Sequence, residues 1–146
     1  MFQRAPWQMA MLTAANVAFY RLIGRRILWL GRPLLLLNTV GAKTGKRRLT
    51  PLTWFDDDPP RSDAWLIVAS AGGAPDHPAW YVNLARRPND ASIDVGDQHI
   101  AVVPESIHGP ERERAWARIV ALVPGYGQYA VSTDREIPVV RLVRRP

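Results

Sequence analysis

The 146-residue chain is 47% apolar and 22% charged, enough for a single core and too little for a multidomain assembly. It has no cysteine, which excludes disulfides, thiolate metal sites and a cysteine nucleophile, and three histidines are too few for most zinc chemistry. The net charge of +6 is unevenly placed: residues 1–55 hold nine cations (Arg4, Arg21, Arg25, Arg26, Arg32, Lys43, Lys46, Arg47 and Arg48) and no acid, which points to an anionic partner for this third of the chain.

Residues Trp7 to Leu30 lack proline and contain one glycine, and they set Phe19, Ile23, Ile27 and Leu30 on one stripe with Arg21, Arg25 and Arg32 near the opposite side. That spacing predicts an amphipathic helix ended by Gly31 and Pro33. Its charges interrupt the roughly 20 consecutive apolar residues that a membrane span needs. Its arginines lie inside and after the apolar stretch, unlike those of a cleavable signal peptide. The expected location is the cytoplasm, with the helix either packed on its own domain or lying on the anionic inner face of the membrane.

Leu34 to Val40 reads as a strand, Gly41-Ala42-Lys43-Thr44-Gly45-Lys46-Arg47-Arg48 as a tight basic turn, and Leu49 to Phe55 as the return strand of a hairpin. A polar loop, Asp56 to Asp63, leads into Trp65 to Ser70, a buried strand broken by Ala71-Gly72-Gly73-Ala74-Pro75. Pro78 to Arg87 is a short helix, and Ser92 to Val95 and His99 to Pro104 form a hairpin around Gly96-Asp97. Gly109-Pro110 opens a helix to about Val123 with Glu111 and Glu113 near its start, Pro124 to Arg135 is a loop, and Ile137 to Val143 is the last strand. The order predicts an α+β, mainly β fold: an N-terminal helix over residues 1–33, then one domain, 34–146, as a barrel or strongly curled antiparallel sheet with helices over its openings.

Four stretches are candidates for chemistry. At the basic turn, Gly41 and Gly45 allow close backbone approach and Lys43, Lys46, Arg47 and Arg48 suit a polyanion such as a phosphate tail, the plain alternative being a solvated turn. The glycine spacing and the strand that follows separate it from a Walker loop. Ser70, where a strand runs into a glycine pair, offers a hydroxyl to a ligand or caps an ordinary turn. Trp80 and Asn83 share a helix face and present an aromatic wall and an amide, unless Trp80 fills core. Tyr126 and Tyr129 on a glycine-rich loop form a substrate lid or pack inward.

His77, His99 and His108 have no metal-ligand spacing, no nucleophile elbow is present, and Asp56 to Asp58 read as solvating charge. A basic nucleic-acid-binding barrel is disfavoured, because the cations gather in one hairpin and one helix while several aromatics sit in apolar runs.

The basic turn, Thr50-Pro51-Leu52, Ala69-Ser70, Gly72-Gly73-Ala74-Pro75, His77-Pro78-Ala79-Trp80-Tyr81, Asn83-Leu84, Pro88-Asn89, the two tyrosines and Thr133-Asp134-Arg135-Glu136-Ile137-Pro138-Val139-Val140 follow one another in a specific order. This succession, from about Leu34 to Val143, resembles the deazaflavin-dependent nitroreductase family of actinobacteria. The resemblance implies a split β-barrel similar to that of flavin-binding pyridoxamine-phosphate oxidases, binding the 8-hydroxy-5-deazaflavin coenzyme F-420 in place of a flavin. It also implies that the coenzyme's phosphate and acidic tail lie along Lys43, Thr44 and Arg48, with Ala42, Lys46 and Arg47 beside them. The ring would lie against Thr50, Pro51, Leu52, Thr53 and Trp54, against Val68, Ala69, Ser70 and Ala71, and against Ala79, Trp80, Tyr81, Val82 and Asn83.

By the same resemblance Ser70, Tyr126 and Tyr129, with Thr53 and Val123, surround an electron-poor acceptor, a quinone or a nitro compound, which takes a hydride from C5 of the reduced deazaflavin. Ser70 and Tyr126 are the candidate catalytic residues, as hydrogen-bond donors or proton relays. The chain departs from the family at Ala42, often basic there, and at Ala71, often Lys in the relative that gave the family its name. Thr53 and Val123 replace tyrosines of that relative, so the acceptor pocket is less aromatic and nitroimidazole reduction does not follow. The alternatives are a non-catalytic deazaflavin-binding or storage protein and an FMN-binding split barrel. Barrels of this kind often pair, and a homodimer is compatible with the sequence.

Overall fold

The computed structural model describes Leu28–Trp29 and residues 32–146. The amphipathic helix expected over residues 7–30 lies outside the described residues except at its end. There Leu28–Trp29 form a two-residue strand, β1, which pairs with the start of β2 (Arg32–Val40), so the chain is already extended where the helix was expected to finish. Pro33 sits near the beginning of β2, a position where a missing N–H is tolerated.

The remaining strands are β3 (Arg47–Thr53), β4 (Ala64–Val68), β5 (Ser92–Val95), β6 (Gln98–Ser106) and β7 (Val139–Arg144). All pair antiparallel, in the order β3-β2-β5-β6-β7-β4. Just beyond β3, Phe55 exchanges two backbone hydrogen bonds of 2.9 Å with Leu66 of β4, so the two edge strands meet and the sheet curls toward closure. The expected curled antiparallel sheet is therefore present. Gly96, at φ +55 in the first central position of the β5–β6 turn, supplies the left-handed residue that a two-residue hairpin needs.

Strand pleating sorts the core into layers. Leu35, Leu37, Trp65, Ile67 and Ala69 point into the barrel, where Trp80 and Leu84 of helix α1 (Ala79–Arg86) join them. The alternate residues Leu66, Val68 and Val139, with Phe55, lie under α2 (Gly109–Leu122) and α3 (Gly125–Val131) through Ala115, Ile119 and Tyr126. The four-leucine run of β2 is apolar throughout because it is covered on both faces: Leu36 packs opposite Leu35 and Leu37, against Leu34 and Leu49. Burying each such side chain contributes about 1.5–3 kcal/mol.

Two expectations change. The segment from Pro124, expected as loop, contains α3, because tertiary packing overrides the poor helix propensity of Gly125 and Gly127. Gly127 lets α3 approach α2 so closely that a Cβ there would stand 3.3 Å from Val120 Cγ1.

Asp57, expected as solvating charge, is only 5% exposed and takes a two-pronged contact from Arg141 of β7, Nε to Oδ2 at 2.8 Å and Nη2 to Oδ1 at 3.0 Å. Arg61 approaches Asp57 at 3.6 Å, and Arg141 also contacts Glu105 and Glu111. Burial alone would raise the Asp57 pKa, but the Arg141 hydrogen bonds, the Asp58 N–H and the charges of Arg141 and Arg61 hold it below the usual carboxylate value. This network fastens the β3–β4 loop to β7, β6 and α2. No helix among the described residues is long and apolar enough to cross a membrane.

Candidate functional site

The β2–β3 hairpin ends in the pair Val40–Arg47, and its loop is closed by Gly41 N–H to Lys46 O at 2.8 Å and Gly45 N–H to Gly41 O at 2.9 Å. Lys43, Lys46, Arg47 and Arg48 are exposed and have no ion pair among the described residues. Helix α1 braces this tip. Asn83 Oδ1 accepts the Ala42 N–H at 3.0 Å, while its Nδ2 donates to Thr39 Oγ1 at 3.4 Å. At the end of α1, Arg87 Nη2 comes within 4.0 Å of where a side chain on Gly45 would start, adding a cation that the motifs did not single out.

Beyond β4 the chain turns sharply. Ser70 precedes a 3-10 turn, Ala71–Gly73, in which Ala71 stands at φ +47 and is the only non-glycine with positive φ among the described residues. For a residue with a Cβ that conformation costs about 1–2 kcal/mol. Gly73, at φ +81, abuts α3: a Cβ there would collide with Ser132 Oγ and stand 3.3 Å from the Tyr129 backbone. Arg135 reaches back over this turn and donates to the carbonyls of Ala69, Ser70 and Ala74. The Ser70 side chain is half-buried, and its hydroxyl has no hydrogen-bond partner among the described residues.

Helix α3 supplies the aromatic cover. The Tyr126 ring meets Phe55 edge-on at 6.0 Å and Tyr129 at 5.9 Å, and Tyr129 remains 38% exposed. Strand parity decides what lies beneath it. Thr50 and Leu52 are paired with Leu37 and Leu35, so with Trp54 they belong to the inward face, whereas Pro51, Thr53 and Phe55 belong to the outer one. Along β4, Val68 lies on that outer face, where Val123 packs against its cluster, and Ser70 follows two residues beyond the strand in helical backbone conformation. The structure thus brings Val123, Tyr126 and Tyr129 together over the Phe55 and Val68 cluster, with the turn that follows Ser70 packed against Tyr129, while Thr53 pairs with Leu34 beside the separate Leu34, Leu36 and Leu49 cluster.

The other residues expected at the ring are placed as follows. Trp80 is 7% exposed within the barrel core, and Asn83 spends its amide on the hairpin, so the pair does not present a free aromatic wall and amide to a ligand. Val68 and Ala69 are buried, while Ala71, Ala79 and Val82 are exposed. Tyr81 lies beside His77 at 4.8 Å and lines a separate cleft with Leu84, Pro104 and Val140. The three histidines stand on different parts of the fold, with His99 paired to Asp94.

The sequence profile of the F420H(2)-dependent quinone reductase family matches residues 12–144. The chain belongs to this family. It is 43% identical over 116 residues to an F420H(2)-dependent quinone reductase of Mycobacterium tuberculosis, spanning 77% of this chain and 74% of that relative. The solved structure of an F420-H2 dependent reductase, FDR-A, superposes with a TM-score of 0.65 at 38% identity, over 76% of this chain and 94% of that one. A Listeria innocua protein described as a pyridoxamine 5'-phosphate oxidase superposes with a TM-score of 0.51 at 12% identity, over 92% of this chain and 94% of that one, a likeness of fold alone. The split-barrel fold, the reductase class and coenzyme F-420 therefore stand as expected for this F420H(2)-dependent quinone reductase family member.

The residues present fit such a coenzyme, since exposed cations without carboxylate partners among the described residues occupy a backbone-fixed loop. Two contributors lie outside the motif stretches: Arg87 reads as an ordinary helix-end cation and Asp57 as one of three adjacent aspartates. Arg135 lies in a motif stretch, but its contacts 61 to 66 residues away are displayed by no local spacing.

Proposed function

We propose that this chain reduces quinones with reduced F-420, holding the coenzyme's anionic tail at the β2–β3 hairpin tip and the quinone between the Ser70 turn and helix α3. The observation that carries the reading is that the turn following Ser70 packs on α3, where Tyr126 and Tyr129 meet, with a brace, Asn83 to Ala42, fixing the cationic tip to α1. When bound, the reduced coenzyme supplies a hydride from its C5 carbon, and a quinone that accepts this hydride and one proton leaves as the hydroquinone.

The protein's own residues bind and orient. Lys43, Thr44 and Arg48, with Lys46 and Arg47, offset the charge of the phosphate and acidic tail. The Ser70 hydroxyl donates a hydrogen bond to the quinone oxygen as negative charge develops there. Tyr126, braced edge-on by Phe55, presents its phenol to the same oxygen for a hydrogen bond or proton transfer, and Tyr129 shields the acceptor from water. Thr53 and Val123 leave room that tyrosines would fill.

The test is anaerobic oxidation of reduced F-420 by 2-methyl-1,4-naphthoquinone, followed by coenzyme absorbance, with a nitroimidazole as comparison acceptor. Ser70→Ala and Tyr126→Phe should each lower kcat by about 10- to 100-fold, the scale expected for removing one oriented donor. Full turnover by Tyr126→Phe would remove that phenol from the mechanism, and coenzyme binding without turnover would make the protein a carrier. The arginines of residues 7–30 are further proposed to hold the protein at an anionic membrane surface, where apolar quinones partition. Vesicle binding indifferent to their removal would refute that part.

A further inference from the structure

We propose that Arg135 is a positioning residue for the reaction, holding Ser70 and the turn that follows it in register with helix α3. The inference rests on the proposed role of Ser70.

Its guanidinium spans the whole turn. Nη1 donates to Ala69 O at 3.1 Å, Nη2 to Ser70 O at 2.7 Å and Nε to Ala74 O at 3.0 Å, while Nη1 stands 3.1 Å from His77 Nδ1. Ala69 and Ser70 are the residues at which the pairing of β4 with β7 runs out, so their carbonyls need donors from elsewhere. One planar fork serves both, together with the carbonyl on the far side of the turn. The Ser70 carbonyl also accepts the Gly73 N–H at 2.9 Å, so two donors fix the peptide that sets the direction of the Ser70 side chain.

The same arginine belongs to the segment that leaves α3. Thr133, two residues earlier, reaches Ala74 O at 3.5 Å, and Gly73 abuts the Tyr129 and Ser132 end of α3. Ser70 below and the tyrosines above are thereby tied to one another through Arg135, across a turn held at a left-handed Ala71. Among the described residues Arg135 has no carboxylate partner, so its donors are committed to backbone carbonyls and His77 and not to an ordinary surface ion pair. A lysine, with a compact ammonium, cannot reproduce three donors spread across one plane.

The experiment compares wild type, Arg135→Ala, Arg135→Lys, Ser70→Ala and the Ser70→Ala/Arg135→Ala pair in the quinone assay, with binding of oxidised F-420 measured separately. Arg135→Ala should lower kcat about 10- to 100-fold while the coenzyme Kd changes less than about threefold. Arg135→Lys should recover only part of the loss, and the double variant should be no slower than Ser70→Ala, because both substitutions remove one effect. Amide exchange at Ala71 and Gly72 should quicken in Arg135→Lys, a readout that keeps the proposal testable if the alanine variant folds poorly. Losses that multiply in the double variant, or an Arg135→Lys enzyme with wild-type kcat and exchange, would overturn the proposal. A wild-type protein that oxidised no reduced F-420 with any quinone would instead overturn the functional reading beneath it.

Discussion

Asp57→Ala would remove the carboxylate at the centre of the network that ties the β3–β4 loop to the body of the barrel. Asp57 is 5% exposed and the Arg141 side chain 12%, and the two share contacts of 2.8 and 3.0 Å, so this pair is well shielded from solvent. Deleting one partner of a buried pair costs about 3–5 kcal/mol, because the other charge is left without compensation. Arg141 keeps Glu105 and Glu111, both about half exposed, so the cost here falls to or below the lower end of that range, about 2–3 kcal/mol. For a domain of this size that corresponds to a fall in Tm of about 4–12 °C.

The same network predicts a pH dependence. Because the folded state lowers the Asp57 pKa, the native carboxyl binds a proton less readily than the unfolded one. Its contribution is complete above the unfolded carboxylate value, near pH ~3.9, and is lost as pH falls through that value and then through the lower folded one. Urea unfolding of wild type and Asp57→Ala at pH 7 and at stepwise lower pH, to pH ~2.5, measures this difference. The gap between them should be constant at neutral pH and narrow below pH ~4. A neutral-pH gap under ~0.5 kcal/mol, or one that widens in acid, would refute the reasoning.

Two further outcomes are expected at the hairpin tip. Lys43→Ala and Arg48→Ala should each weaken F-420 binding by about 3- to 10-fold in fluorescence titrations at low salt, with the differences shrinking as salt is raised, since both side chains are exposed. Asn83→Ala leaves the Ala42 N–H without its acceptor, costing about 1–2 kcal/mol in chemical denaturation and loosening the tip, so coenzyme Kd should rise while the catalytic rate at saturation is preserved.

The legible parts of the fold were those set by short-range rules. Strand periodicity and turn residues located all the longer strands to within a few residues, and the Gly96-Asp97 and Gly41–Arg48 turns joined the strands expected of them. Helix α3 was missed because its glycines argue locally against a helix, and only its contacts with Phe55 and Val120 explain it. The motif stretches of the site were visible as residues, yet the face each side chain takes was not. Trp80 and Asn83 share a helical face as expected, but that face is turned into the barrel and against the hairpin.

Composition, charge placement and local periodicity are properties of neighbouring residues, and they suffice for a basic hairpin, a curled antiparallel sheet and a family resemblance. Which side chains meet across long sequence separations is a different quantity, because it depends on pleat parity and on how the sheet curls. The sheet's closure through Phe55 and Leu66 joins the edges that carry Thr53 and Ser70, Arg141 turns one of three adjacent aspartates into a buried anchor, and Arg135 reaches carbonyls more than 60 residues away. Those contacts exist only once the sheet has curled, since the entropy of bringing distant segments together is met by packing of the whole core and not by any local sequence preference.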